Sequence, residues 1–168
     1  HTPGAGILKH AWGTWDSASF EWQWTTTEVS SGSSAGQYSS LALALDENPH
    51  IAYKRANSLE HAWGTWNPVS LEWQWSAEVI ESSIGGSGGY TSLVNGAGNS
   101  MHVSYYHAGD DALKYSSGTY DSTSATWSWQ TEIVDDPDGE NVGKYTAIAV
   151  HDSGSIYIAY YDVTNENL

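Results

Sequence analysis

The chain has no cysteine, one methionine, one phenylalanine, four prolines and only five lysines and arginines among its 168 residues. The missing cysteine excludes disulfide staples, thiol catalysis and thiolate metal sites together. Five basic residues against 20 acidic ones leave a formal charge of −15. Phosphate recognition needs clustered lysine and arginine, so this balance argues against a nucleic-acid partner and against an anionic membrane surface. No apolar run approaches the roughly 18 residues that read as a membrane-spanning helix. There is no Gly-x-Ser-x-Gly elbow and no phosphate-cradling glycine loop, and the scattered acids define no carboxylate pair for glycoside hydrolysis. What the chain does have is aromatic surface, with ten tryptophans and 11 tyrosines. That content is incompatible with disorder, and the length suits one domain with a real core. The sequence opens at His1. An extracellular or cell-surface location, after removal of a leader, is the expectation.

Four sequence blocks recur in the same order. Leu8-Lys9-His10-Ala11-Trp12-Gly13-Thr14-Trp15 returns as Leu59 to Trp66 and, degraded, as Leu113 to Tyr120. Glu21-Trp22-Gln23-Trp24 returns as Glu72 to Trp75 and as Thr126 to Trp129. Tyr38-Ser39-Ser40-Leu41 returns at Tyr90 and Tyr145, and His50-Ile51-Ala52-Tyr53 returns at His102 and Tyr157. Matching positions lie 51 to 55 residues apart, which is the signature of a repeat architecture. Each unit holds four strand-like runs separated by turn signals such as Asp46-Glu47-Asn48-Pro49 and Asp152-Ser153-Gly154. Alternation such as Leu41 to Leu45 has the period of a half-buried strand, and no stretch carries helical caps with a 3.6-residue period. The units run over about 8–58, 59–112 and 113–168 within one domain, 1–168.

An all-β fold is expected, and four strands per roughly 50-residue unit are the cues of a β-propeller of antiparallel blades. A β-sandwich is the competing architecture. The pattern Tyr-x-Ser-Leu, His-Ile-Ala-Tyr, Leu-x-His-Ala-x-Gly-x-Trp resembles the repeats of prokaryotic extracellular β-propeller proteins, over Leu8 to Leu168. That resemblance implies blades and leaves function open, because such propellers serve as lectins, scaffolds and occasionally enzymes. In each unit's terms the third and fourth strands come first in the chain and the first and second come last. The expected closure is therefore circularly permuted, with two chains sharing strands in a six-bladed homodimer. A segment of a longer propeller is the alternative.

Trp12, Trp15, Trp63 and Trp66 flank a glycine where a strand is ending, and Tyr120 replaces Trp66 in the third unit. Sugar rings stack their C–H faces on aromatic planes while polar neighbours satisfy the hydroxyls. Trp15, Trp66, Tyr120, Trp12, Trp63, His10 and His61 are the candidate ligand-binding residues. The alternating Trp22, Trp24, Trp73 and Trp75 are expected to pack between sheets. Asp136, Asp138 and Glu140 surround a glycine in an acidic loop, the one place where calcium is conceivable; no other cofactor is implied. The expected function is a lectin-like, multivalent carbohydrate-binding module that is not an enzyme. The alternatives are a structural or protein-interaction scaffold and a glycoside hydrolase-like enzyme.

Overall fold

The computed structural model describes residues 5–166; His1 and Leu168, the last of the four repeated leucines, lie outside them. The fold is all-β. Twelve strands run in chain order as β1 (Ala5–Asp16), β2 (Glu21–Ser33), β3 (Gln37–Leu43), β4 (Pro49–Arg55), β5 (Ser58–Asn67), β6 (Glu72–Glu81), β7 (Gly89–Asn95), β8 (Met101–His107), β9 (Ala112–Asp121), β10 (Thr126–Asp135), β11 (Val142–Val150) and β12 (Ile156–Asp162). One short 3-10 turn at Ala97–Asn99 interrupts the β7–β8 connection. Every pairing is antiparallel between strands adjacent in sequence. They form a hairpin (β1–β2), two four-stranded sheets (β3–β6 and β7–β10) and a second hairpin (β11–β12).

The repeated sequence features have local causes. The glycine in each Trp-Gly-Thr-Trp block faces a tryptophan on the next strand, with Gly13 opposite Trp24 and Gly64 opposite Trp75. Gly118 opposes Trp129 in the same way, and a Cβ there would stand 2.8 Å from that indole ring. A missing side chain on one strand thus makes room for a large one on its neighbour. The hairpin that follows is closed each time by a carboxylate or amide that accepts from the backbone two residues on: Ala18 N–H to Asp16 at 2.9 Å, Val69 N–H to Asn67 at 2.9 Å and Thr123 N–H to Asp121 at 2.8 Å. Such Asx turns are why these residue types recur there. Tyr38, Tyr90 and Tyr145, which open the third block, all adopt left-handed backbone, with φ between 53° and 54°. Each sits at a break in the register of its strand pair, a bulge that period-two reading does not reveal.

Successive sheets stack face to face. Leu59, Tyr105, Val103, Met101 and Trp127 form a core between the two four-stranded sheets. Leu8, Ile51, Tyr53 and Ala62 form a smaller one between the β1–β2 hairpin and the first sheet. The strands β3, β7 and β11 run side by side through the stack. Their backbones are tied by Leu93 N–H to the Ser40 hydroxyl at 2.9 Å and Ile148 N–H to the Ser92 hydroxyl at 3.2 Å.

The sequence units and the sheets are out of phase. The unit boundary at 58/59 falls at the start of β5, inside a sheet, and the boundary at 112/113 falls at the start of β9, also inside one. Three four-stranded sheets per chain and a closed ring are not what the described residues form. The outer edges of β1 and β12 pair with no strand among them.

Candidate functional site

The aromatic candidates gather at the contacts between sheets. On β5, His61 is fully buried and stacks on Trp63, with ring centroids 5.4 Å apart. Trp127 and Trp129 of β10 meet it edge-on from the next sheet at 5.0 and 5.1 Å. The β1–β2 hairpin repeats the arrangement: buried His10 stacks on Trp12 at 5.6 Å, and Trp73 and Trp75 of β6 meet it edge-on at 6.1 and 5.1 Å. Trp66 joins this group, 6.3 Å from Trp12 and 5.4 Å from Trp73. Tyr120 takes the same place beside Trp127, at 5.4 Å. Trp15 stands apart from both groups. Its one aromatic neighbour among the described residues is Trp22, at 5.6 Å, and it is 52% exposed.

Each cluster therefore draws on two sheets, and the tryptophans of one block do not form a site by themselves. Trp12 meets Trp66, one repeat further on, and not Trp15. The expectation that the alternating tryptophans pack between sheets is met by Trp73 and Trp75, which lie against His10. Trp22 and Trp24 depart from it: they are 56% and 66% exposed, because the first sheet packs on the Thr27 face of β2 and no sheet among the described residues covers the opposite face.

Beside Trp63 the two four-stranded sheets leave an open cleft of about 110 Å³. Its aromatic wall is Trp63, Tyr120 and Trp127, and its floor includes His50 and Thr65. Asp46 and Asn48 from the β3–β4 turn and Asn99 from the β7–β8 connection supply the rim. The rim is held in place by its own hydrogen bonds. Asp46 accepts from the Asn48 side-chain amide at 2.8 Å, and the Asn99 side-chain oxygen Oδ1 accepts from the Leu45 N–H at 3.1 Å. The indole N–H of Trp127 is buried without a partner among the described residues.

Behind this wall lies a histidine pair. His50 Nδ1 and His61 Nε2 are 2.9 Å apart, so one ring N–H donates to the lone pair of the other, and the accepting ring is neutral. Burial, then the neighbouring His61, push His50 down to about 3, with Asp46 pulling the other way. Burial lowers His61 too, against the pull of Glu78. In the second sheet the same place is taken by His102 Nδ1 and the Tyr115 hydroxyl, 2.5 Å apart. Repeat spacing sets His50 apart from His61. The β4–β5 pairing, with Ala52 opposite His61, brings them onto one face, and antiparallel pairing of adjacent strands was the signal for it.

Among the described residues no three histidine, aspartate or glutamate side chains converge as a metal group, Asp136, Asp138 and Glu140 included. Asp136 and Asp138 are exposed, and Glu140 accepts from the Asn165 side chain at 3.0 Å. No known protein-family model matches the chain, and no curated protein resembles it significantly.

Proposed function

We propose that the sheets are blades of a β-propeller and that the chain is a secreted or surface-displayed, lectin-like module that binds carbohydrate without turning it over. The observation that carries this reading is the cleft of Trp63, Tyr120 and Trp127 rimmed by Asp46, Asn48 and Asn99. Aromatic faces for the C–H side of a pyranose and short polar groups for its hydroxyls are the two elements such recognition needs. The cleft is smaller than the roughly 300–1,000 Å³ of sites that enclose drug-sized ligands, which suits one terminal sugar residue. A related aromatic group at Trp12, Trp66 and Trp73 makes the module multivalent, so weak sites act together on a surface bearing many glycans.

The stacking of successive sheets, with β3, β7 and β11 side by side, supports the blade reading. A scaffold without a small ligand is the second reading. It is favoured by Trp127, which is only 7% exposed and gives much of its ring to packing on His61. A glycan array followed by calorimetry separates the two. Saturable binding is expected, weakened about tenfold by Asp46→Ala, the value of one hydrogen bond to a charged group. Absence of binding to any glycan would leave the scaffold.

A further inference from the structure

The two hairpins carry matching halves of contacts that the four-stranded sheets make whole. In those sheets the second and third strands pair in one register. Tyr53 faces Glu60 and Ala52 faces His61 between β4 and β5; Tyr105 faces Lys114 and Ser104 faces Tyr115 between β8 and β9. By the repeat, β12 is the counterpart of β4 and β8, and β1 is the counterpart of β5 and β9. Their facing edges are unpaired among the described residues. From the common register we infer that β12 of one copy pairs with β1 of a second copy of this chain, Tyr160 opposite Lys9 and Ala159 opposite His10. The inference rests on the blade reading above. Two copies then give six blades, within the four to eight that close a propeller, whereas three would give nine.

Charge supports the occupant. At the second sheet the Tyr105 hydroxyl donates to Glu81, from the preceding sheet, and Lys114 Nζ sits 3.0 Å from the same carboxylate. At the first sheet the preceding position is neutral Ser30, and the residue facing Tyr53 is an acid, Glu60, which accepts its hydroxyl at 2.7 Å. At β12 the Tyr160 hydroxyl donates to Asp135 at 2.6 Å. Among the described residues no cation takes the corresponding place there, and Lys9 is the residue that the register brings in. Its side chain is exposed and makes no ion pair among the described residues.

A second complementarity lies on the sheet faces. The Trp75 indole donates to the Thr27 hydroxyl at 3.3 Å, and the Trp129 indole to Glu78 at 2.8 Å, each reaching back to the preceding sheet. The counterpart of Thr27 and Glu78 on the second sheet is Glu132. It lines an open depression of about 140 Å³ with Tyr115, Ser117, Gln130 and Thr131. The counterpart of Trp75 and Trp129 is Trp24, which is 66% exposed. Docking β1 on β12 lays the β1–β2 hairpin over the second sheet and seats Trp24 of the second copy in this depression, its indole toward Glu132. Trp15 and Trp22 of that copy then stand where Tyr120 and Trp127 wall the cleft of the first pair of sheets, so a third aromatic site is complete only in the assembly.

Charge exchange tests the register. Sedimentation equilibrium should give twice the 18.2 kDa of one chain. Lys9→Glu and Asp135→Lys should each raise the dissociation constant by about a hundredfold, the effect of opposing like charges at a desolvated pair. Each variant should retain a β-sheet circular dichroism spectrum. Mixing the two should restore the dimer, since the mixed pair has opposite charges at both contacts, and the double variant should dimerise alone. Single variants that remain dimers, or a mixture that does not reassociate, would overturn the register. A wild-type chain that stays single while keeping its spectrum and its glycan binding would sink the docking and leave the blade and binding readings standing.

Discussion

Tyr53 and Tyr160 hold the same place in the same sequence pattern, and their surroundings differ. Tyr53 lies on β4, between β3 and β5, with sheets on both faces, and is wholly buried. Tyr160 lies on β12, which has one neighbour and one open edge, and is only partly buried. The difference extends along both strands, since β4 is buried from Pro49 to Lys54 whereas β12 is at most half-buried throughout. Tryptophans show the same contrast: Trp127 of the second sheet is 7% exposed and its counterpart Trp22 of the first hairpin 56%. Identical local chemistry therefore gives a core residue or an open one according to how many sheets stand beside it. Burial here is a property of the stack, and the hairpins, at its two ends among the described residues, have fewer neighbours.

The contrast can be broken first at its strongest point. Tyr53→Ala should cost about 3–5 kcal/mol in urea unfolding, the loss of a large ring from a packed interior. Tyr160→Ala, measured in the Lys9→Glu background that would weaken the proposed joint, should cost clearly less. Equal costs in that background would show that β12 is already as enclosed as β4. The histidine pair comes next. The folded pKa of His50, at about 3, lies below its ordinary 6.5. Its contribution to stability is then constant above pH 6.5 and lost as pH falls from there toward 3, because the unfolded chain takes up the proton first. One such site steepens the fall by about 1.4 kcal/mol per pH unit. His61→Tyr, which copies the His102–Tyr115 pair of the second sheet, should make that fall shallower. A smaller effect separates two glycines. Gly118→Ala should cost about 1–3 kcal/mol by pressing a Cβ on the Trp129 ring. Gly13→Ala should cost less, because the Trp22 and Trp24 rings beside Gly13, 3.2 Å from such a Cβ, are exposed and can move aside. Thermal unfolding of the two variants side by side would show it.

Much of the fold was readable from the chain. The four repeated blocks mark strands in every case, and the turn signals at Asp46 and Asp152 fall between β3 and β4 and between β11 and β12. Two hairpins, each carrying two of the four repeated blocks, flank two four-stranded sheets that carry all four. Three features were not readable, for physical reasons. The left-handed backbone at Tyr38, Tyr90 and Tyr145 is rare for a bulky residue and leaves no mark in an alternation pattern. The cleft at Trp63 joins side chains from β4, β5, β9 and β10 with two turns, and such convergence depends on how sheets stack. The exposure of Trp22 and Trp24 follows from the absence of a covering sheet, which composition cannot express. Of the seven aromatic and histidine candidates, Trp63 and Tyr120 line the cleft and His61 stands directly behind its wall. Trp12, Trp66 and His10 form the related group, and Trp15 lies outside both.

The offset between sequence unit and sheet makes the chain modular. Excising residues 59–112 would remove β5 to β8 and join β4 directly to β9, a strand that already pairs with β8 in the register that β5 uses with β4. The shortened chain would keep one four-stranded sheet, both hairpins and the same two free edges. Insertion of a further unit would leave those edges unchanged as well. Growth or loss by whole repeats is thus invisible to the edges, so β1 and β12 keep their sequence and their register while the number of sheets between them changes.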